Sequence, residues 1–348
     1  MTGFSMRVTR GLPLGEDMRR VFRDTPLALT LGNFDGVHRA HRAMLERTVE
    51  AAADLQLTPA AMTFHPSPKE FFAMNAGAGI TPRLSTLTDK LDRFREAGIR
   101  EVIVVRFNQT LASQSAEDFV GRVLEDQLNV RWLLVGDDFR FGHKRAGTVA
   151  TLRDSTQFTL ERMRTMIHAG ERVSSSAVRH ALQAGDLEAA TRMLGRPYSI
   201  TGRVAHGEKL GRSLGFPTAN LPLRFTPALS GICAVKVTGI GPDGAVARDG
   251  VASLGTRPTV NERTRPIVEV FLFDFDRPIY GHRITVHFLH KLRDEARYPD
   301  LDTLRAQIQR DADDARRWLA RKDARPRAFA GVHRERATQF GIDMTHGL

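Results

Sequence analysis

The chain has 348 residues, and its 51 Lys and Arg against 40 Asp and Glu give a formal net charge of +11. At roughly 150 residues per domain, that length suggests two domains that each bury a real core, and it excludes a lone peptide-sized module. Hydrophobic content of 41% with 26% charged residues belongs to a globular chain and not a disordered one, and no window approaches the roughly 20 apolar residues of a membrane span.

Met1 to Leu14 carries basic residues but no continuous apolar run before a small-residue cleavage site, so a cytoplasmic protein is expected. The first half then alternates short apolar runs with helical patterns, the sequence form of a parallel βαβ sheet. Leu27 to Leu31 reads as a strand, followed by a Gly-bearing loop and a helix from about His41 to Leu55, with Met44, Leu45, Val49, Ala52 and Ala53 near one face. Further strands are expected at Ala60 to Phe64, Val102 to Phe107 and Trp132 to Val135. Between them lie helices near Thr86 to Ala97 and Ala116 to Gln127, the latter opened by Ser115 with Asp118 three residues on, a capping-box arrangement.

A helical pair follows, about Ser175 to Ala184 and Leu187 to Leu194, punctuated by Gly185 and Asp186. Beyond it the pattern changes to strands at Tyr198 to Val204, Cys233 to Thr238, Val246 to Ser253, Ile267 to Phe273 and Arg283 to Phe288. Gly, Pro and Asp turns separate them without intervening helices, which suggests an antiparallel barrel or sandwich. Cys233 is the single cysteine, so an internal disulfide is excluded, and its strand-like surroundings mark an inert core thiol. A closing helix, about Leu301 to Ala320, places Leu304, Ile308, Ala312 and Ala315 on one face. From Arg316 to Leu348 eight basic residues stand against three acids, so five of the eleven net charges sit in a terminal stretch and the body is only mildly basic.

Two segments carry chemistry. Gly32-Asn33-Phe34-Asp35-Gly36-Val37-His38-Arg39-Ala40-His41 falls between an expected strand and a helix N-terminus, where unpaired N–H groups and the helix dipole favour phosphate. Glycine at 32 and 36 lets the backbone approach a ligand, and His38 and His41, three apart, can aim both imidazoles at the same oxygens. The rival readings are an ordinary βα loop with exposed histidines and a zinc pair, although zinc needs further ligands that are not spaced locally. In the second segment, Gly202 to Asn220, glycines at 207, 211 and 215 alternate with Lys209 and Arg212, which suits a nucleotide phosphate chain. Thr218 and Asn220 face the same side of an extended segment and suit Mg²⁺, although Pro-Thr-Ala-Asn also reads as a turn. Glu269 interrupts an apolar strand run, either facing water or held in a pocket where partial burial raises its pKa toward a general-base role.

Gly-Asn-Phe-Asp-Gly-Val-His-x-x-His resembles the signature of the HxGH nucleotidyltransferases, specifically the FMN adenylyltransferase half of bacterial bifunctional riboflavin kinase/FAD synthetases. Met62 to Pro68, Arg106 to Asn108, Ser115 to Val120, Gly136 to Gly142 and Val173 to Arg179 continue the likeness in order. Gly215 to Asn220 resembles the riboflavin kinase core, supported by Gly255 to Thr259, Val268 to Asp276, Tyr280 with Gly281, and Phe288 to Glu295. Three departures stand out: Ala40 where the family usually has Gly, His65 where an acid is expected, and Phe271 where the family often has His or another polar residue.

The resemblance implies a Rossmann-like α/β adenylyltransferase domain over 1–182, an antiparallel β-barrel riboflavin kinase domain with a closing helix over 183–322, and a basic tail over 323–348. It implies that Gly32, Asn33, Phe34, Asp35, Gly36, His38, His41, Ser175, Ser176 and Arg179 handle the triphosphate of ATP, the last three holding the β- and γ-phosphates that depart as pyrophosphate. By themselves those serines are also a helix-start signal. Phe64 and Asp138 are expected at the flavin, with a solvated loop acid as the rival reading of Asp138. In the kinase half the resemblance assigns Gly207, Lys209, Gly211, Arg212 and Gly215 to ATP, Thr218 and Asn220 to Mg²⁺, and Glu269 to the riboflavin 5′-hydroxyl proton. Expected partners are ATP and riboflavin or FMN, with FAD as product, no nucleic acid or membrane, and a weak homo-oligomer as one option. Two alternatives are a kinase with its adenylyl site disabled by Ala40, and an RNA-binding protein. Against the second, no zinc finger, RNP-type aromatic platform or KH-type loop is present, and three Tyr with two Trp leave stacking surface scarce.

Overall fold

The computed structural model describes residues 5–323, except 13, 80, 208–210, 212–213, 241–245 and 258–264. Lys209, Arg212 and the tail after 323 therefore lie outside the described residues. The described residues form two compact units, one from residues up to Thr81 with Leu87–Val173, the other from Pro82–Thr86 with residues 174–323.

In the first unit the strands are β1 (Arg7–Arg10), β2 (Leu27–Leu31), β3 (Thr58–Phe64), β4 (Glu101–Val105), β5 (Val130–Gly136) and β6 (Thr159–Met163). They form one sheet in the order β1-β4-β3-β2-β5-β6, with every pair parallel. Its helices are α1 (Glu16–Asp24), α2 (Arg39–Asp54), α3 (Pro68–Asn75), α4 (Leu87–Glu96), α5 (Gln109–Ala112), α6 (Ala116–Asp118) and α7 (Val149–Arg153). A two-stranded hairpin, β7 (Ile167–His168) with β8 (Glu171–Arg172), ends the unit. Leu27, Leu29, Leu31, Met62, Ile103 and Leu133 pack on one face with Phe22 of α1. Ala61, Val102 and Val104 pack on the other with Leu45 of α2 and Phe94 of α4, so the sheet is covered on both sides, as parallel sheets require.

Strand β2 occupies the expected residues because LALTL is apolar throughout and wholly buried. Helix α2 begins two residues earlier than expected, since His38 itself caps it, and Ala53 is exposed while Thr48 and Ala51 turn inward. The helix expected over Ala116 to Gln127 is α-helical only to Asp118 and then continues as a π-helix over Phe119–Gln127. Ser115 caps it through the Asp118 N–H at 3.0 Å, which is half of the expected reciprocal box. Arg47 of α2 grips the nearly buried Glu161 of β6 with two hydrogen bonds of 2.8 and 2.9 Å, and so clamps the far edge of the sheet.

The second unit opens with α8 (Ser175–Gln183) and α9 (Leu187–Leu194) and continues with β9 (Tyr198–Arg203), β10 (Thr218–Pro222), β11 (Gly231–Thr238), β12 (Arg248–Arg257), β13 (Arg265–Leu272) and β14 (Arg283–Arg293). These strands form an antiparallel sheet in the order β10-β13-β12-β11-β14-β9. Its two edges meet at an isolated bridge, where the Ala205 N–H donates to the Asn220 carbonyl at 2.8 Å, so the sheet curls into a barrel closed at that point. Cys233, Val235, Val237, Leu254, Val268 and Val270 fill the interior face. Burial pushes the Cys233 thiol up to about 12, so it stays protonated and inert.

Helix α10 (Leu301–Asp323) covers part of the outer face, with Ala312, Ala315 and Leu319 against Ala234 and Val251. Arg293 fastens it, donating to both oxygens of Asp311 at 2.8 and 2.5 Å, and the Asp311 side chain is only 7% exposed. Arg293→Met leaves that carboxylate buried without its cation and is expected to destabilise the second unit by about 3 kcal/mol, read as a lower thermal midpoint. An unchanged midpoint would show that the pair does not hold the helix.

Candidate active sites

In the parallel sheet the chain order reverses between β2 and β5, and open α/β sheets receive ligands beyond the carboxyl ends of their strands at such a switch point. The Gly32–His41 loop leaves β2 there, and Asp137 and Asp138 leave β5 beside it. Phe34 and Val37 adopt left-handed φ of 48° and 40°, with Gly36 at 78°, so the loop is tightly coiled and held by burial of the Phe34 ring against Phe94 and His41.

His38 caps α2 through its ring: Nδ1 accepts the His41 backbone N–H at 3.3 Å. That acceptor role places the proton of neutral His38 on Nε2. The two imidazoles stack 3.6 Å apart and 15° from parallel, so both rings belong to one cluster as their spacing suggested. Burial holds the His41 pKa well below its ordinary value, helped by the nearby His38 and Lys90. Two buried atoms here, Asn33 Oδ1 and His41 Nδ1, have no hydrogen-bond partner among the described residues. Unsatisfied buried polar atoms in a coiled loop are what a bound polar ligand would complete. The zinc alternative gains nothing: among the described residues no group of three or more His, Cys, Asp or Glu is placed to hold a metal ion.

Around this loop the same sheet edge presents other groups. Phe64, ending β3, meets Phe107 beyond β4 with ring centroids 6.0 Å apart, and Phe71 and Phe72 of α3 join at 5.4 and 5.8 Å from Phe107. Phe72 is 54% exposed. Of these rings the sequence singles out Phe64 alone, because adjacent Phe71 and Phe72 on a helix also read as one apolar stripe. Asp138 is exposed and ion-paired with Arg172 at 2.5 Å. A cavity of about 490 Å³ opens among Asp137, Arg162, Arg164 and Thr165 at the ends of β5 and β6. In the second unit, Ser174 and not Ser175 caps α8 by accepting the Ala177 N–H at 3.2 Å, so Ser175 and Ser176 occupy its first two helical positions, with Arg179 one turn on.

The second site lies on the barrel's outer face. Asn220 of β10 stands opposite Glu269 of β13, which stands opposite Ser253 of β12, so the three side chains form one row across adjacent strands. Thr218, two residues before Asn220, lies on the same face. PTAN is therefore a strand and not a turn from Thr218 onward. The Asn220 amide nitrogen donates to the Thr218 carbonyl at 3.2 Å, which leaves Oδ1 buried and without a partner among the described residues. Gly207 lies directly against this amide: a Cβ there would stand 2.5 Å from Nδ2 and 2.8 Å from Oδ1. At Gly211 a Cβ would stand 2.4 Å from the Phe216 carbonyl oxygen and 3.4 Å from Thr218 Oγ1, whereas Gly215 faces open space with φ +90°. Glu269 is half-buried. A second acid, Glu295, accepts from Ser253 Oγ at 3.2 Å over Gly255, where its carboxylate leaves no room for a Cβ.

Residues 22–177 match the FAD synthetase family and residues 194–319 the riboflavin kinase family. A bifunctional riboflavin kinase/FMN adenylyltransferase of Haemophilus influenzae is 41% identical over 90% of this chain and 99% of its own length. The Escherichia coli K12 protein of the same description is 42% identical over 84% of this chain and 92% of its own length. The chain belongs to this bifunctional family.

A solved structure described as a macrolide-efflux protein from Streptococcus pneumoniae shares the fold, with a TM-score of 0.70 and 26% identity over 84% of this chain and 95% of that one. Among the described residues no helix is long and apolar enough to cross a membrane. The two family regions follow the two sheets in chain order: the parallel sheet falls in the FAD synthetase region and the antiparallel one in the riboflavin kinase region.

Proposed function

We propose that the Gly32–His41 loop and the Asn220–Glu269 row are the two active sites of a flavin-cofactor enzyme. The chain is a bifunctional riboflavin kinase and FMN adenylyltransferase, phosphorylating riboflavin to FMN with ATP and adenylylating FMN with a second ATP to FAD and pyrophosphate. The observation that carries the site assignment is the matched pair of unsatisfied buried oxygens, Asn33 Oδ1 in one unit and Asn220 Oδ1 in the other, each set among the residues its chemistry needs.

In adenylyl transfer the FMN phosphate attacks the α-phosphorus of ATP, so no protein nucleophile is required and the residues act by positioning and charge stabilisation. Gly32, Asn33, Phe34, Asp35 and Gly36 wrap the triphosphate, and His38 donates from Nε2 while His41 lies against it. Ser175, Ser176 and Arg179 are assigned to the departing phosphates. Phe64, with Phe71, Phe72 and Phe107 beside it, offers the isoalloxazine an aromatic face, and Asp138 reaches the flavin from the neighbouring loop.

In the kinase site Glu269 accepts the proton of the riboflavin 5′-hydroxyl as that oxygen attacks the γ-phosphorus. Thr218 and Asn220 would hold Mg²⁺, a hard cation suited to neutral oxygens together with phosphate and water, and the unpartnered Asn220 Oδ1 fits that role. The ion would neutralise charge on the phosphates when bound. Gly207, Gly211 and Gly215, with Lys209 and Arg212, are assigned to the phosphate chain. Residues 1–182 are assigned to adenylyl transfer, 183–322 to the kinase and 323–348 to a basic tail.

Incubating the purified protein with riboflavin, ATP and Mg²⁺ and separating the flavins is expected to give FMN and then FAD. FMN alone would reduce the chain to a kinase, and no conversion would remove both assignments. Gly207→Ala drives a methyl group into the Asn220 amide. It is expected to lower riboflavin phosphorylation by at least about tenfold, the scale of one lost charge-assisted contact, with FMN adenylylation unchanged. Equal loss of both activities would point to misfolding instead.

A further inference from the structure

Lys90 of α4 is a lysine in an unusual place. It is 8% exposed, and its ammonium donates to the Asn33 backbone carbonyl at 2.5 Å and to Thr63 Oγ1 of β3 at 3.1 Å. The Thr63 hydroxyl donates to the same carbonyl at 3.2 Å. Two donors from the protein interior thus converge on one peptide oxygen of the phosphate loop. A peptide is planar and trans, so its N–H points opposite to its C=O. With the Asn33 oxygen drawn to Lys90 and Thr63, the N–H of the buried Phe34 points the other way, away from both of them. Phe34 is also the residue held at a left-handed φ of 48°, a conformation that needs such outside support.

We propose that Lys90 is a positioning residue for adenylyl transfer: by fixing the Asn33 carbonyl it turns the Asn33–Phe34 peptide so that the Phe34 N–H donates to the triphosphate of ATP. The inference rests on reading Gly32–His41 as the ATP loop. Neither the loop signature nor the charge pattern of α4 announces it, because a lysine within Leu-Thr-Asp-Lys-Leu-Asp-Arg reads as one more group on a solvated face. Here the lysine is structural in its contacts and electrostatic in its consequence. It sets the direction of a backbone dipole in advance of the ligand, when no reorganisation is needed at the moment of reaction.

The test uses the full chain, whose second activity serves as an internal control. Lys90→Met is expected to raise the KM for ATP in FMN adenylylation about ten- to a hundredfold, the scale of one hydrogen bond to a charged group. The KM for FMN and riboflavin phosphorylation should stay put. Lys90→Gln, whose amide can still donate to the carbonyl, is expected to recover most of the ATP affinity. Thr63→Val, which leaves the ammonium in place, should weaken ATP only several-fold, and these two variants decide the matter if Lys90→Met does not fold. In protein labelled with ¹⁵N-Phe, the Phe34 amide is expected to shift on adding ATP in the wild type and not in Lys90→Met. If the wild-type amide shifts and every Lys90 variant shifts alike with unchanged KM for ATP, the role of Lys90 is overturned while the loop assignment stands. If the wild-type amide ignores ATP and His38→Asn leaves the KM for ATP unchanged, the loop assignment itself falls.

Discussion

Glu269→Gln is expected to lower riboflavin phosphorylation about 10²–10⁴-fold, the range a positioned general base contributes, while FMN supplied to the same protein is still converted to FAD. The substitution keeps the shape of the side chain and its hydrogen-bonding capacity but removes the group that accepts a proton. Glu269 stands in register with Asn220 on one side and Ser253 on the other, so the residue proposed as base and the residue proposed for the metal sit on neighbouring strands whose spacing the sheet fixes. Steady-state assays of each half-reaction read the result. Glu269→Asp should fall between the two, since it keeps the carboxylate and withdraws it by one methylene. A Gln variant within a few-fold of wild type would move the proton acceptor elsewhere, with Glu295 on the same face the next residue to test.

The complementary substitution is His41→Asn, expected to lower FMN adenylylation about 10²–10³-fold, the scale of losing one group that stabilises charge in the transition state. Riboflavin would then be converted to FMN and no further, so the product distribution alone separates the two sites. His41 also carries a pH signature. Its folded pKa lies well below the ordinary value of 6.5, mainly through burial, so the unfolded chain takes up a proton there before the folded chain does. Stability from this group is therefore complete above pH 6.5 and lost as pH falls from 6.5 toward the folded value. Comparing thermal midpoints of the first unit at about pH 7.5 and about pH 5.5 should show a larger drop for wild type than for His41→Asn. An equal drop would mean that other groups govern the acid sensitivity.

Much of this molecule was readable from residue order, for reasons that differ by element. LALTL gave β2 without error because a strand buried on both faces needs no polar alternation. Strand β6 went unread because Glu161 and Arg162 interrupt it, and only the grip of Arg47 explains how a carboxylate is buried there. Strand β10 looked like a turn because Pro and Asn are turn formers, yet Asn220 is placed by its pairing with Glu269 and by the bridge that closes the barrel. The charged helix α1 buries a single side chain, Phe22, and so lacks an apolar stripe to recognise. At the proposed sites, residue types and spacing single out the histidines, the Thr–Asn pair and the lone strand glutamate as candidates. They did not disclose Lys90, Phe72 or the left-handed turn at Phe34, because burial of a charge, exposure of a ring and the sign of φ are properties of the assembled chain.

Strand β1 has a consequence for synthesis. It is translated before the other described strands, yet among the described residues its neighbour in the sheet is β4, and Arg7 reaches its partner Glu101 across 94 residues of chain. At about 5–20 residues per second, a nascent chain carries that strand for several seconds with an unsatisfied edge while β2 and β3 can already pair. The β4-facing side of β1 is thus open to mispairing with another chain until β4 has left the ribosome.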